Sequence, residues 1–331
     1  MRISLVTVTW HSSPWLARLL PTLDGVDEVV VVDHSEDPAE TRRLRDLPVQ
    51  RLVTQENRGY GGGLNRGVQE ASGEILLLAN PDVRLAPGAV EALARLVTEP
   101  GVGAAGPMLL WAEDRPWQLP HSAHHTWFRE WAASRFPRLA RRLYLRQMDL
   151  AWKAASPAVV PVIGGAVMAT TRAVFEASGG FDERYFLFFE ENDWCLRLRR
   201  RGLRLMVEPR AKVFHAWCHA IRNAAARHHT RSLDLYRRAH FPAWYLSRFP
   251  EPPAPGTPAL PPAAGAGCTA GDELLLVSSP LCIPAARLVA PRPSGDAAEF
   301  LPGSLPPGRY HLVRRSGRRL ERLSSLEARP A

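Results

Sequence analysis

The residues best equipped for chemistry lie in one short stretch. Glu190, Glu191 and Asp193 put three carboxylates within four positions, between Phe188-Phe189 and Trp194. Desolvating an unpaired carboxylate is costly, so acids among aromatic rings usually serve a metal, a cationic partner or proton transfer. The plain alternative is a solvated helix start, because acids favour the first turn. A second acidic position, Asp82, follows the apolar run Ile75–Ala79 and the pair Asn80-Pro81. Proline cannot continue an interior strand, which puts Asp82 at a strand's carboxyl end. Open α/β sheets bind their ligands there. An Asx-Pro turn would leave the same trace. His215 closes the stretch that starts at the Gly179-Gly180-Phe181-Asp182-Glu183 turn.

These residues need a scaffold, and the pattern around them supplies one. Ile3–Trp10 is rich in β-formers, and Ser12, Ser13 and Pro14 then offer a helix start. Trp15–Leu23 carries an apolar helical face, Glu28–Val32 is a second strand ending at Asp33, and Val49–Val53 reads as a third. Asn57–Gly67 reads as a glycine-rich loop entering a helix through Glu70, ahead of the strand near Leu77. Strands that are apolar throughout suit a sheet covered on both faces. The alternation of strand and helix predicts a mostly parallel α/β sheet with right-handed crossovers.

The ordered motifs resemble the inverting family 2 glycosyltransferases of GT-A fold, in their bacterial rhamnosyltransferase-like branch. They are Asp33, Asn57-Gly59-Tyr60, Asn65-Gly67, Asn80-Asp82, Gly164-Gly165-Ala166, Gly180-Phe181-Asp182, the run Glu190 to Arg197, and His215. The resemblance spans roughly residues 3–245. It implies that Thr9, Asp33, Asn57, Gly59, Tyr60, Asn65, Asn80 and Arg197 bind a nucleotide-sugar donor, with the glycines opening the backbone to it. It implies that Asp82 and His215 hold a divalent metal, Mn²⁺ or Mg²⁺. The catalytic group implied is Glu191 or its neighbour Glu190, with Asp193 continuing the motif. Two positions depart from the family pattern: residue 34 is His rather than Asn, and residue 191 is Glu rather than Asp. The implied donor is dTDP- or UDP-linked, with rhamnose as the expected sugar, and the implied acceptor is a polysaccharide or lipid-linked glycan. Two rivals are a non-catalytic sugar-nucleotide or glycan binder and a sugar-phosphate nucleotidyltransferase. Ile3–Ser13 lacks the glycine-rich start that the latter requires.

Composition sets outer bounds. The chain has 331 residues, 46% of them hydrophobic, and a net charge of +9 carried mostly by arginine. Such a chain can bury one large core with a small appendage. The absence of a long apolar segment and of a leader pattern predicts a cytoplasmic protein. Arginine and aromatic residues interleave from Trp127 to Arg146, inside an insert expected at about 111–158. Two readings stand for them: peripheral contact with the anionic inner face of a membrane, or a helical insert with a solvated arginine face. Nucleic acid is not an expected partner, because a donor site already accounts for the phosphate chemistry. His124-His125 and His228-His229 lack the spacing of metal ligands. Cys195, Cys218, Cys268 and Cys282 form no close pair and predict reduced thiols. A catalytic domain is expected over 1–248, a Pro/Ala/Gly-rich linker over 249–267 and a small β-rich domain over 268–331.

Overall fold

The computed structural model describes residues 1–111, 117–216, 223–254, 272–277, 285–288 and 308–328. The chain opens with β1 (Ile3–Thr9), α1 (Ser13–Leu19), β2 (Glu28–Asp33), α2 (Pro38–Arg45), β3 (Arg51–Thr54), α3 (Gly59–Glu70) and β4 (Ile75–Ala79). β1 pairs in parallel with β2 and with β4, and β2 with β3. β2 and β4 are buried along their whole length, as covered parallel strands must be. Next come β5 (Val83–Leu85), α4 (Ala89–Val97), β6 (Val102–Leu110), β7 (Trp117–Gln118), α5 (Trp127–Arg135), α6 (Pro137–Trp152) and β8 (Ala158–Val159). β9 (Val167–Thr171), α7 (Arg172–Ser178), α8 (Glu190–Arg200), β10 (Arg204–His215), α9 (Asn223–His240) and α10 (Ala243–Arg248) complete this part. β9 runs antiparallel to β4, and the long β10 runs parallel to β6 and antiparallel to β5.

The expected α/β sheet is present; it is parallel through β3-β2-β1-β4 and between β6 and β10, and its other pairings are antiparallel, so it is mixed where a mostly parallel sheet was expected. The glycines expected in a loop lie inside α3, where they let the helix sit close to the sheet. A Cβ at Gly67 would meet Val6 at 2.3 Å, and one at Gly63 would meet Val8 and His34 at 2.7 Å. α9 and α10 are separate helices, divided before Pro242.

The C-terminal strands attach to the main sheet. β11 (Glu273–Val277), β12 (Ala285–Leu288), β13 (Gly308–Ser316) and β14 (Arg319–Ala328) extend the central sheet rather than form a body of their own. β12 pairs with β7, so the short β7 edge is covered instead of left open. Leu275, Val277 and Val313 pack with Tyr144, Met148 and Trp152 of α6. Arg315 bonds Asp149 at 2.8 Å, and Lys153 pairs with Glu273 at 3.0 Å. A segment this short lacks the area for a separate core, and the sheet edge supplies it. The expected linker lies, from residue 255 onward, outside the described residues, as do Cys218, Cys268 and Cys282.

Candidate active site

Strand register gathers the predicted residues at one sheet edge. Thr9 stands opposite Asp33, and Asp33 opposite Thr54. Ala79 pairs with Val167, which places Asn80 beside the Gly164–Ala166 turn, and the Asn80 N–H donates to the Ala166 carbonyl at 2.8 Å. His215 pairs with Val83, next to Asp82. A cleft of about 330 Å³ opens at this edge. Tyr60, Asn80, His121, Ser122, Tyr144, Gly165, Phe188, Glu190, Glu191 and His215 line it.

The two glutamates owe their position to a strained turn. Phe188 and Phe189 both adopt left-handed backbone, at φ 69° and 70°. Two bulky residues in that region cost energy, and such strain collects where geometry matters. The turn aims the first residues of α8 at the cleft. Glu191 Oε1 accepts from Ser122 Oγ at 2.8 Å and from Asn192 Nδ2 at 3.3 Å. Its Oε2, and Oε2 of Glu190, are buried with no hydrogen-bond partner among the described residues. Burial and the neighbouring Glu191 push the Glu190 carboxyl well above the usual range. Burial also raises Glu191, but hydrogen bonds from Ser122 and Asn192 oppose it. Ser122 and Asn192 thus favour the ionised form at Glu191, where Glu190 has no such side-chain donors among the described residues. Two carboxylates this close titrate as one system.

His215 Nε2 lies 3.2 Å from Asp82 Oδ1. Tyr60 stands among the acids: burial, then Glu190, Asp82 and Glu191, push its hydroxyl far above the usual range. That hydroxyl donates to the Gly165 carbonyl at 3.2 Å. A carboxylate and an imidazole side by side form a donor set that suits Mn²⁺ or Mg²⁺. The unpartnered Glu191 oxygen, when ionised, leaves negative charge beside them that a cation would relieve. No cluster of three or more metal-ligating side chains occurs among the described residues. Asp82 and His215 fit an ion as two of its ligands.

Other predicted residues have their bonds elsewhere. Asp33 is buried, with Oδ1 accepting from the Ser35 N–H at 2.9 Å and Oδ2 from Thr41 Oγ1 at 2.6 Å. The Thr9 hydroxyl donates to Val32 O at 3.4 Å. Asn57 Oδ1 accepts from the Gly59 N–H at 2.9 Å, and Gly59 has φ +80°. A Cβ on Gly59 would fall 2.1 Å from the Phe186 carbonyl oxygen, so its open side faces protein rather than a donor. Asn65 bonds both the N–H and the C=O of Phe181 at 2.9 Å, which locks α3 to the Gly180-Phe181 turn. Arg197 reaches Asp193 at 2.7 Å and the carbonyls of Ser178 and Gly180 at 2.6 Å. Asp193 also meets His240 at 2.8 Å. Burial works to raise its carboxyl, yet bonds from His240 and Arg197 prevail and hold it below the usual range. None of Asp193, Arg197 and Asn65 lines the cleft. Asp193, Asn65 and Arg197 each bond the framework behind α8.

Sequence reasoning missed His121, Ser122 and His240. His121 is buried in the cleft wall with neither ring nitrogen bonded among the described residues, and burial lowers its pKa to about 4. His34, the departure from the family pattern, bonds Gln55 at 2.8 Å and covers Gly63. The only available signal for His121 and Ser122 was their polarity beside Leu119-Pro120, which has no periodic meaning.

A parallel-centred sheet with an acid-lined cleft at its carboxyl edge is the arrangement expected of a GT-A-type glycosyltransferase. Residues 2–246 match the family model described as Glycosyltransferase like family 2, and the chain belongs to that family. It is 28% identical over 274 residues to the N-acetylglucosaminyl-diphospho-decaprenol L-rhamnosyltransferase of Mycobacterium tuberculosis, covering 73% of this chain and 86% of the relative. It is 25% identical over 208 residues to the low-salt glycan biosynthesis hexosyltransferase Agl10 of Haloferax volcanii, covering 61% and 63%. Among solved structures, the mannosyltransferase PcManGT of Pyrobaculum calidifontis, in complex with GDP-Man and Mn²⁺, superposes with a TM-score of 0.51 at 20% identity. That superposition covers 75% of this chain and 67% of the other, and speaks to the fold.

Proposed function

We propose that this glycosyltransferase moves a hexose, rhamnose in the first instance, from a dTDP- or UDP-linked donor to a saccharide hydroxyl with inversion. The acceptor is a cell-envelope glycan or a lipid-linked sugar, the type for which the mycobacterial relative is named. The observation that carries the reading is Glu191: one carboxylate oxygen is pinned by Ser122, and the other lies buried and unpartnered in a cleft-lining side chain.

The chemistry follows from that arrangement. The acceptor hydroxyl gives its proton to Glu191 Oε2 as its oxygen attacks the anomeric carbon. The bond from that carbon to the donor's phosphate oxygen breaks, and the nucleoside diphosphate departs with the electron pair. One displacement inverts the anomeric centre. Ser122 and Asn192 hold the base in one orientation, the kind of positioning that a transfer step rewards. Glu190, held protonated by burial beside Glu191, adds no second negative charge to the wall. Asp82 and His215 would hold Mn²⁺ or Mg²⁺ together with the donor diphosphate, and the ion would offset charge on the leaving group. His121, neutral at physiological pH, would offer its two nitrogens to acceptor hydroxyls.

The test separates binding from transfer. Glu191→Gln should keep the Mn²⁺-dependent melting shift with dTDP or UDP and lose most transfer, about a hundredfold or more. Asp82→Ala should lose the metal-dependent part of that shift. Near-normal turnover by Glu191→Gln would remove Glu191 as the base. Absence of any nucleotide-dependent shift in the wild type would turn the reading toward a non-catalytic glycan binder.

A further inference from the structure

The arginine and aromatic residues of the insert sort into two groups once folded. Arg129 turns inward to bond Gln147, Tyr144 lines the cleft, and the Trp127 and Trp131 rings are half-buried. The remainder stays outside and is joined by a residue distant in sequence. The Trp244 ring of α10 meets Trp127 at 5.1 Å between centroids, Trp127 meets Phe128 at 6.0 Å, Phe128 meets Trp131 at 5.9 Å, and Trp131 meets Phe136 at 5.3 Å. Along this chain of rings Trp244 is 59% exposed, Phe136 51%, Phe128 41%, and the adjacent Leu139 40%. Scattered exposed apolar residues need no explanation, but a contiguous set of large ones marks an interaction surface.

The charge around the patch selects the partner. From Trp127 to Met148 the sequence holds six arginines and one acid, Glu130. Glu130 is taken by the buried Arg237 at 3.0 Å and by the Tyr245 hydroxyl at 3.1 Å. Arg135, Arg138, Arg142, Arg146 and Arg248 are exposed, and none forms an ion pair among the described residues. A second copy of the same face would bring like charges together, whereas an anionic bilayer supplies the opposite charge and an interface that accepts Trp and Phe. No helix among the described residues is long and apolar enough to cross a membrane, so the contact would be peripheral.

We infer that the face built by α5, the outer side of α6 and α10 docks this enzyme on an anionic lipid surface, with Trp244, Phe128, Phe136 and Leu139 entering the headgroup region inside a rim of arginines. α6 turns Arg142 and Arg146 outward and Tyr144 into the cleft, so one helix joins the bilayer contact to the site. Docking there would bring the proposed transfer to lipid-linked acceptors, while the exposed rings and arginines are present whatever the cleft transfers.

Flotation of the intact protein with phosphatidylcholine vesicles, with and without phosphatidylglycerol, tests the docking. Binding should require phosphatidylglycerol and weaken with added salt. Arg138→Gln and Arg142→Gln should each cut partitioning about fivefold. The double variant Trp244→Ser with Phe136→Ser should abolish flotation while its melting temperature stays near that of the wild type. Donor hydrolysis without vesicles should be unchanged in the double variant, which keeps failure of docking distinct from failure of the transferase reading. No enrichment on anionic vesicles, or equal flotation of wild type and double variant, would overturn the inference. So would a wild-type dimer that the double variant dissolves, since it would assign the face to a second copy.

Discussion

Ser122→Ala probes the base through its neighbour. The Ser122 hydroxyl donates to Glu191 Oε1 at 2.8 Å and is one of the groups that hold the Glu191 carboxyl down against the pull of burial. A hydrogen bond to a charged group contributes about 1.5–3 kcal/mol, so its loss should move the ionisation of Glu191 upward by about one to two pH units. The sign is fixed by the chemistry. Transfer needs the carboxylate, so the rate falls as pH falls through the Glu191 ionisation, which already lies above the ordinary 4.5. The variant should therefore show an acidic limb displaced to higher pH, with much of the lost rate recovered on the alkaline side. The assay is transfer at saturating donor, metal and acceptor across pH, with the melting temperature followed at each point. Alanine leaves no bulk to block a ligand, so an acidic limb that stays in place with the rate unchanged would refute Glu191, held by Ser122, as the ionising base. A drop in rate uniform across pH would mean that Ser122 acts on geometry alone.

Glu190→Gln should raise thermal stability increasingly as pH rises. Its carboxyl is held protonated by burial and by Glu191, so folding stability is full below the ordinary 4.5 and is lost as pH climbs toward the raised value. A melting curve for wild type and variant that stays parallel from acid to alkaline pH would count against that burial. Asp193→Ala should lower stability by about 3 kcal/mol, because Arg197 and His240 would lose a shared buried partner. Denaturant unfolding measures the loss, and the nucleotide-dependent melting shift should persist, since Asp193 braces α8 from behind. His121→Phe should raise the melting temperature of the ligand-free enzyme by about 2–4 °C, because it removes two unsatisfied buried nitrogens at similar volume. The same variant should raise KM for the acceptor about tenfold and leave KM for the donor in place. A lowered melting temperature would show that His121 has partners in the folded wall.

The legible part of this protein was whatever local pattern controls. Covered strands such as Glu28–Asp33 and Ile75–Ala79 are apolar throughout because both faces are packed, and that run reads directly from the chain. The acids at 190 and 191 were legible for the opposite reason: charge where burial is expected. What could not be read was which atom each side chain spends its bonds on. Asn65 and Arg197 sit in motif register with a donor site, yet their partners are the carbonyls of Phe181, Ser178 and Gly180, fixed only once α3, α7 and α8 meet. Gly59 reads as an opening toward ligand and proves to be room for Phe186. His121 and Ser122 carry no periodic signal, and only the antiparallel return of β7 beside β6 brings them to the glutamates. The docking place of the C-terminal strands was not legible, because sequence shows their alternation but not the open β7 edge that receives them. These corrections share one physical cause. A motif residue is as often conscripted to hold the turn before α8 as to touch what enters the cleft. The strained pair Phe188-Phe189 needs such bracing: left-handed backbone at two bulky residues persists only where the surroundings over-determine it. The bonds of Tyr60 to the Phe186 carbonyl, of Ser232 to the Leu187 carbonyl and of Asp193 to the Phe189 carbonyl supply that restraint from three separate helices. Glu191 is thus positioned by a framework built from residues of the same motifs.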